Sequence, residues 1–187
     1  PEGTGSMAAV LGLDENQVEE VCQRASQGQI VSVANFNSPG QIVIAGHREA
    51  IERAVGLAKE AGAKRSIILP VSVPSHCALM GKAADRFAER LGTIEFNQPE
   101  ITVLHNVDAV NRQNVDDIKL ALREQLCQPV QWVRTIREMV DSNVNTMIEC
   151  GPGKVLSGLI KRIDRSMKIL SVYDTSSLEK ALGELAD

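Results

Sequence analysis

Two apolar stretches, Ile30-Val31-Ser32-Val33-Ala34-Asn35 and Gln41-Ile42-Val43-Ile44-Ala45-Gly46, flank Asn37-Ser38-Pro39-Gly40. Short runs rich in β-branched residues suit a pleated sheet, and Asn, Ser, Pro and Gly between them supply the turn of an antiparallel hairpin. The hairpin limits what its neighbours can be. Ahead of it, Met7-Ala8-Ala9-Val10-Leu11-Gly12-Leu13 reads as a strand. Asp14 and Gln17 then make a capping box for a helix whose Val18, Val21, Cys22 and Ala25 share one face. After the hairpin, Ile51, Ala54, Val55 and Ala58 recur at helical spacing up to Gly62, which stops the helix before the strand Ser66-Ile67-Ile68-Leu69. The order is β-α-β-β-α-β. That is the ferredoxin-like split βαβ unit, expected as a small α/β subdomain over residues 1–68.

Over residues 69–187 the rhythm lengthens into an alternation of helix and strand, which predicts a parallel or mostly parallel sheet. Helices are expected at 77–91, 114–126, 130–141, 154–163 and 177–185, and strands at 101–104, 146–149 and 168–172. Pro129 suits the first turn of its helix, and Gly151-Pro152-Gly153 a tight crossing from strand to helix. So few strands make a poor independent sheet. The segment reads as the remainder of a larger body.

Of the 187 residues 43% are hydrophobic, enough for a sizeable core, and the net charge of −4 comes with basic residues dispersed among acids. Nucleic acid and anionic membranes reward clustered Lys and Arg, so neither is an expected partner. No apolar run approaches the roughly 20 residues of a membrane span, and no basic start leads into a long apolar stretch; a cytoplasmic location is expected. Cys22, Cys77, Cys127 and Cys150 lack CxxC spacing and are expected as free thiols. His47, His76 and His105 show no metal-ligand spacing, and no metal or other cofactor is expected. His47 and His105 read as surface or hydrogen-bonded residues. Gly3-Thr4-Gly5-Ser6-Met7-Ala8 has the spacing of a dinucleotide loop without a strand to feed it, and Gly151-Pro152-Gly153-Lys154 lacks the other residues of a phosphate loop.

The segment Val71-Ser72-Val73-Pro74-Ser75-His76-Cys77 places an imidazole after a strand expected over Leu69-Pro70-Val71-Ser72-Val73 and before an expected helix, where loops present catalytic groups. Histidine is the natural general base near neutral pH, although one histidine alone is as readily a hydrogen-bonded structural residue. Its neighbours carry more. Pro74-Ser75-His76-Cys77-Ala78-Leu79-Met80 resembles the catalytic-histidine segment of the malonyl-CoA:acyl carrier protein transacylase family. Three other stretches resemble that family in the same order: the hairpin from Asn35 to Gly46, Gln128-Pro129-Val130-Gln131-Trp132, and the strand-turn-helix from Glu149 to Leu156.

The resemblance implies that the small subdomain is inserted in an α/β-hydrolase-like acyltransferase body, of which residues 69–187 are the C-terminal portion. It implies transfer of a malonyl group from malonyl-CoA to the phosphopantetheine thiol of an acyl carrier protein, through an acyl-serine, with His76 as the base. It places Gln125 where a main-chain carbonyl orients that histidine, Asn35 and Asn37 near the pantetheine arm, and Ser75 beside the acyl α-carbon. Ordinary turn chemistry at Asn35 and Asn37, packing at Ser75 and a solvated helix-end side chain at Gln125 account for the same residues equally simply.

No Gly in the chain has a Ser two positions on, so no G-x-S-x-G nucleophile elbow is present. By the resemblance the elbow, a Gln-bearing oxyanion loop and a carboxylate-binding Arg precede Pro1, and the chain alone is expected to be inactive. Three readings follow. The chain is a piece of such a transacylase that works with its missing N-terminal part; it is a non-catalytic module that binds a carrier protein; or it belongs to a serine hydrolase or acyltransferase with another acyl preference. If the missing part covers the strands around Ile101 and Thr146, the isolated chain is expected to expose a large apolar patch there.

Overall fold

The computed structural model describes residues 3–71 and 73–186. They form two compact units, which divide between Thr135 and Ile136. The first unit begins with β1 (Gly5–Leu11), α1 (Glu15–Ser26), β2 (Val31–Ser38), β3 (Gln41–His47), α2 (Arg48–Glu60) and β4 (Arg65–Ile68). All strand pairs of this sheet are antiparallel, in the order β2-β3-β1-β4.

Successive side chains of a strand point to opposite faces, and here both faces are covered. Ala8, Val10, Ile42 and Ile44 are buried on one, and α1 and α2 pack against the strands of this sheet. Met7, Val43 and Ala45 cluster on the other with Ala34 and Cys77. That explains why the run Met7–Leu11 is apolar throughout instead of alternating.

The capping box closes as expected: Asp14 Oδ1 accepts the Gln17 N–H at 2.8 Å and Gln17 Oε1 accepts the Asp14 N–H at 2.9 Å. Val18, Val21, Cys22 and Ala25 are all buried. At the far end of α1, where carbonyls lack helical partners, Arg53 Nε donates to the Ala25 carbonyl at 2.9 Å and its Nη2 to that of Ser26 at 3.2 Å. In α2 the buried face is Ala50, Ile51, Ala54 and Ala58; Val55 is only half-buried. Gly62, at φ +92°, takes the left-handed conformation that ends this helix.

The hairpin differs from expectation in its turn. β2 continues through Asn37 and Ser38, leaving Pro39-Gly40 to reverse the chain, with register shifts between Val33 and Asn35 and between Phe36 and Ser38. Each shift inserts an unmatched residue and lets the strand twist.

Beyond β4 the first unit carries a short 3-10 turn (Ala78–Met80), α3 (Gly81–Gly92), α4 (Val115–Glu124) and the start of α5 (Trp132–Asp141). Three expectations are corrected here. Ile101–Leu104 is not a strand: among the described residues Leu104 alone forms an isolated bridge, to Asn111, and Ile101 is 75% exposed. An apolar run without a neighbour for its ladder has no reason to be a strand. Leu69 to Val71 and Val73 are likewise not strand; Ser72 lies outside the described residues. Pro129 precedes α5 by three residues instead of lying in its first turn, because Val130 bridges to Asn35 of β2.

The second unit holds β5 (Thr146–Cys150), α6 (Val155–Ile163), β6 (Lys168–Val172) and α7 (Thr175–Ala186), with β5 and β6 parallel as expected. Ile148, Val155 and Leu156 are exposed. Lys154 gives α6 no side-chain cap; Glu149 reaches across the Gly151-Pro152-Gly153 crossing to do so. Its carboxylate accepts the Leu156 N–H at 3.0 Å, the Ser157 N–H at 2.7 Å and the Ser157 hydroxyl at 2.6 Å. Burial opposes ionisation of Glu149, but these donors outweigh it and hold the carboxyl below its ordinary value.

A depressed carboxylate contributes stability above its unfolded pKa and loses it as pH falls through the lower folded one. Acidification below the ordinary glutamate value of about 4.3 is therefore expected to lower the melting temperature of the chain, and to do so less in Glu149→Gln. Parallel melting curves for the two from pH about 6 to about 3 would remove Glu149 from this role.

Candidate functional site

The residues on either side of His76 are anchored before His76 itself is placed. Pro74 is fully buried and Cys77 is 1% exposed, packed among Met7, Ala34, Val43 and Ala45 beneath the four-stranded sheet. The Cys77 thiol donates to the Pro74 carbonyl at 3.2 Å, closing the turn, and burial raises its pKa. Held between these anchors, His76 takes φ +61°, a left-handed conformation that non-glycine residues adopt at a cost of about 1 kcal/mol. Its ring is half-buried.

What the loop turns towards is the end of α4. The last carbonyls of a helix have no partner within it. Here Gln125, the residue just past the helix, has its carbonyl oxygen 2.6 Å from His76 Nδ1, and the Leu126 carbonyl accepts the His76 backbone N–H at 3.1 Å. A carbonyl can only accept, so Nδ1 carries a proton in this contact, and the lone pair of the neutral ring is on Nε2. The arrangement leaves an imidazole of fixed tautomer with its proton-accepting nitrogen unspent.

The same stretch is fastened on two more sides. The Val130 N–H donates to the Ala34 carbonyl at 2.8 Å and the Val130 carbonyl accepts the Phe36 N–H at 3.0 Å, so Asn35 lies where β2 meets this segment. The Gln131 N–H donates to the Asn106 carbonyl at 2.7 Å. An ion pair at 2.6 Å between Arg123 and Asp85 joins α4 to α3.

Of the residues singled out in the sequence, His76 and Gln125 are brought into contact, and Ser75 precedes His76 in the turn with its N–H on the Val73 carbonyl. Asn37 lies two residues along β2 from Asn35, and neither it nor Ser75 hydrogen-bonds His76 among the described residues. The anchoring by Leu126, Pro74 and Cys77 went unseen, since a main-chain acceptor carries no side-chain signal. His47 is structural: its Nδ1 accepts the Ile30 N–H at 2.9 Å at the foot of the hairpin. His105 is buried rather than at the surface, 6% exposed, and burial and Arg112 hold its imidazole below the ordinary value. All four cysteines are free, and burial pushes the Cys22 thiol up to about 12. Among the described residues no three His, Cys, Asp or Glu side chains are grouped as a metal site, and no helix is long and apolar enough to cross a membrane.

Residues 2–179 match the family model of the acyl transferase domain. The chain belongs to the acyl transferase domain family. Over 182 residues it is 51% identical to the malonyl CoA-acyl carrier protein transacylase of Escherichia coli K12, covering 97% of this chain and 59% of that protein. A solved malonyl-transacylase in complex with its type II PKS acyl-carrier protein is 49% identical with a TM-score of 0.96, covering 98% of this chain and 60% of that one. An acyl carrier protein S-malonyltransferase from Vibrio cholerae is 51% identical with a TM-score of 0.95, covering 97% and 59%. The mixed α/β fold is thus that of these acyl transferases, and the chain spans about three-fifths of their length.

Proposed function

We propose that this chain supplies the base for transfer of a malonyl group from malonyl-CoA to the phosphopantetheine thiol of an acyl carrier protein. The observation that carries the reading is the contact between His76 Nδ1–H and the Gln125 carbonyl, which leaves Nε2 as acceptor. A serine, supplied by residues outside this chain, gives its proton to Nε2 as its oxygen attacks the thioester carbon. Collapse of the tetrahedral intermediate expels the CoA thiolate, which takes the proton back from the imidazolium. In the second half-reaction Nε2 accepts the proton of the carrier thiol, the thiolate attacks the acyl-serine ester, and the serine leaves reprotonated. Nδ1–H stays on the Gln125 carbonyl throughout, so the ring is not free to rotate between the two halves. His76 and the Gln125 main-chain carbonyl are the catalytic and orienting groups. Asn35 and Asn37 border the pantetheine arm, and Ser75 the acyl group.

The sheet order β2-β3-β1-β4 with antiparallel neighbours supports a ferredoxin-like subdomain over residues 1–68. The parallel pair β5 and β6, flanked by helices, supports residues 69–187 as part of an α/β-hydrolase-like body. The malonyl group, the carrier protein and a cytoplasmic setting are proposed from the likeness to the relatives.

The test is malonyl transfer from malonyl-CoA to holo acyl carrier protein, followed by intact mass of the carrier. The assay compares this chain alone with a protein joining it to the serine-bearing part. Transfer by the joined protein only is the expected result. Binding of the carrier without transfer by either would favour the non-catalytic module, which the lack of a G-x-S-x-G elbow in this chain also permits.

A further inference from the structure

Gly3-Thr4-Gly5-Ser6-Met7-Ala8 is no dinucleotide loop, yet its second glycine occupies a place where no side chain fits. Gly5 opens β1, is buried, and pairs with His47 of β3. A β-carbon on Gly5 would stand 2.2 Å from Pro74 Cγ, 2.6 Å from its Cβ and 2.7 Å from its Cδ. Carbon atoms in contact stand about 3.5–4.0 Å apart, so even alanine at position 5 forces something to move.

What moves is decided by what is tied down. β1 is held along its length by β3, from Gly5 opposite His47 to Leu11 opposite Gln41. The pyrrolidine ring has no flexible end to swing aside. The loop around Pro74 has no such ladder: beyond the burial of Pro74 and Cys77 it is held by isolated bonds, Cys77 Sγ–H to the Pro74 carbonyl, Ser75 N–H to the Val73 carbonyl, His76 N–H to the Leu126 carbonyl and His76 Nδ1–H to the Gln125 carbonyl. The loop is therefore the part that yields, and it carries His76 two residues on.

We propose that Gly5 is a positioning residue for His76: the empty space above its α-carbon seats the Pro74 ring, and that seat fixes the backbone that aims the imidazole at the Gln125 carbonyl. The proposal rests on the reading of His76 as the base. Gly5 itself touches no reacting group. It acts through Pro74, so its replacement should harm the chemical step more than the binding of malonyl-CoA.

The experiment uses the protein that joins this chain to its serine-bearing part, as wild type, Gly5→Ala, Pro74→Gly and the double variant. Four quantities are read: kcat, KM for malonyl-CoA, the melting temperature, and the low-field NMR signal of the His76 Nδ1–H. A displacement near 1 Å at a catalytic group costs about 100-fold, and that is the expected fall in kcat for Gly5→Ala, with KM unchanged and the Nδ1–H signal lost to exchange. Removing the ring should relieve the clash, so Gly5→Ala with Pro74→Gly is expected to regain about tenfold over Gly5→Ala alone and to restore the signal, a coupling that independent sites do not show. Full kcat with an intact signal in Gly5→Ala overturns the proposal. So does a loss that the second substitution fails to relieve and that a falling melting temperature accounts for. If the wild type transfers no malonyl group, the functional reading fails, and the Nδ1–H signal in the four proteins still decides whether Gly5 positions His76.

Discussion

His76→Ala, in a protein that also carries the serine, is expected to slow acylation of that serine by malonyl-CoA by about 10²–10⁴-fold. The fold should survive. The backbone N–H of residue 76 still donates to the Leu126 carbonyl, and the anchoring of Pro74 and Cys77 does not involve the imidazole. Rapid-quench mass analysis of malonyl-serine measures the step directly, and near-normal acylation would exclude Nε2 as the base. Gln125→Ala is the companion measurement. Its main-chain carbonyl makes the contact, so the rate should stay within a few-fold of wild type.

The largest loss of stability is expected from Ile44→Ala, at about 2–5 kcal/mol. Ile44 is fully buried in β3, one of the two central strands, opposite Ala8 of β1 and Val33 of β2. The buried face of α2 is mostly alanine, with Ile51 its one large side chain, so the surroundings have little bulk to lend to a cavity. Equilibrium urea unfolding checks it: the midpoint should drop with an unchanged slope. A loss below about 1 kcal/mol would mean that the core collapses around the gap after all.

The first seventy residues were legible because each element announces itself locally. A capping box, an apolar helical face and turn residues between β-branched runs are short-range signals; the structure keeps the capping box and most of both helical faces, and narrows the turn to Pro39-Gly40. The misreadings share one cause. Ile101–Leu104 has the composition of a strand but no neighbour to pair with, and pairing is not written in the segment itself. Val130 was assigned to a helix by its pattern, and a long-range bridge to Asn35 overrides that preference. At the site, the resemblance pointed to His76 and the Gln125 carbonyl, and the structure brings these two into contact. The seat beneath Pro74 and the second carbonyl, of Leu126, depend on backbone atoms that no residue type reveals.

The bond that aims the imidazole joins residues 49 apart, and the bridge from Val130 to β2 spans a longer stretch still. Contacts across such separations close late, because the entropy of the intervening chain has to be overcome first. During synthesis, which proceeds from the N-terminus, the four-stranded sheet can form while α4 is still being made. There is then an interval in which His76 exists, its flanks already packed, but points nowhere in particular. The contact that orients the imidazole therefore cannot form until residue 125 has been made, well after the sheet that packs its flanks.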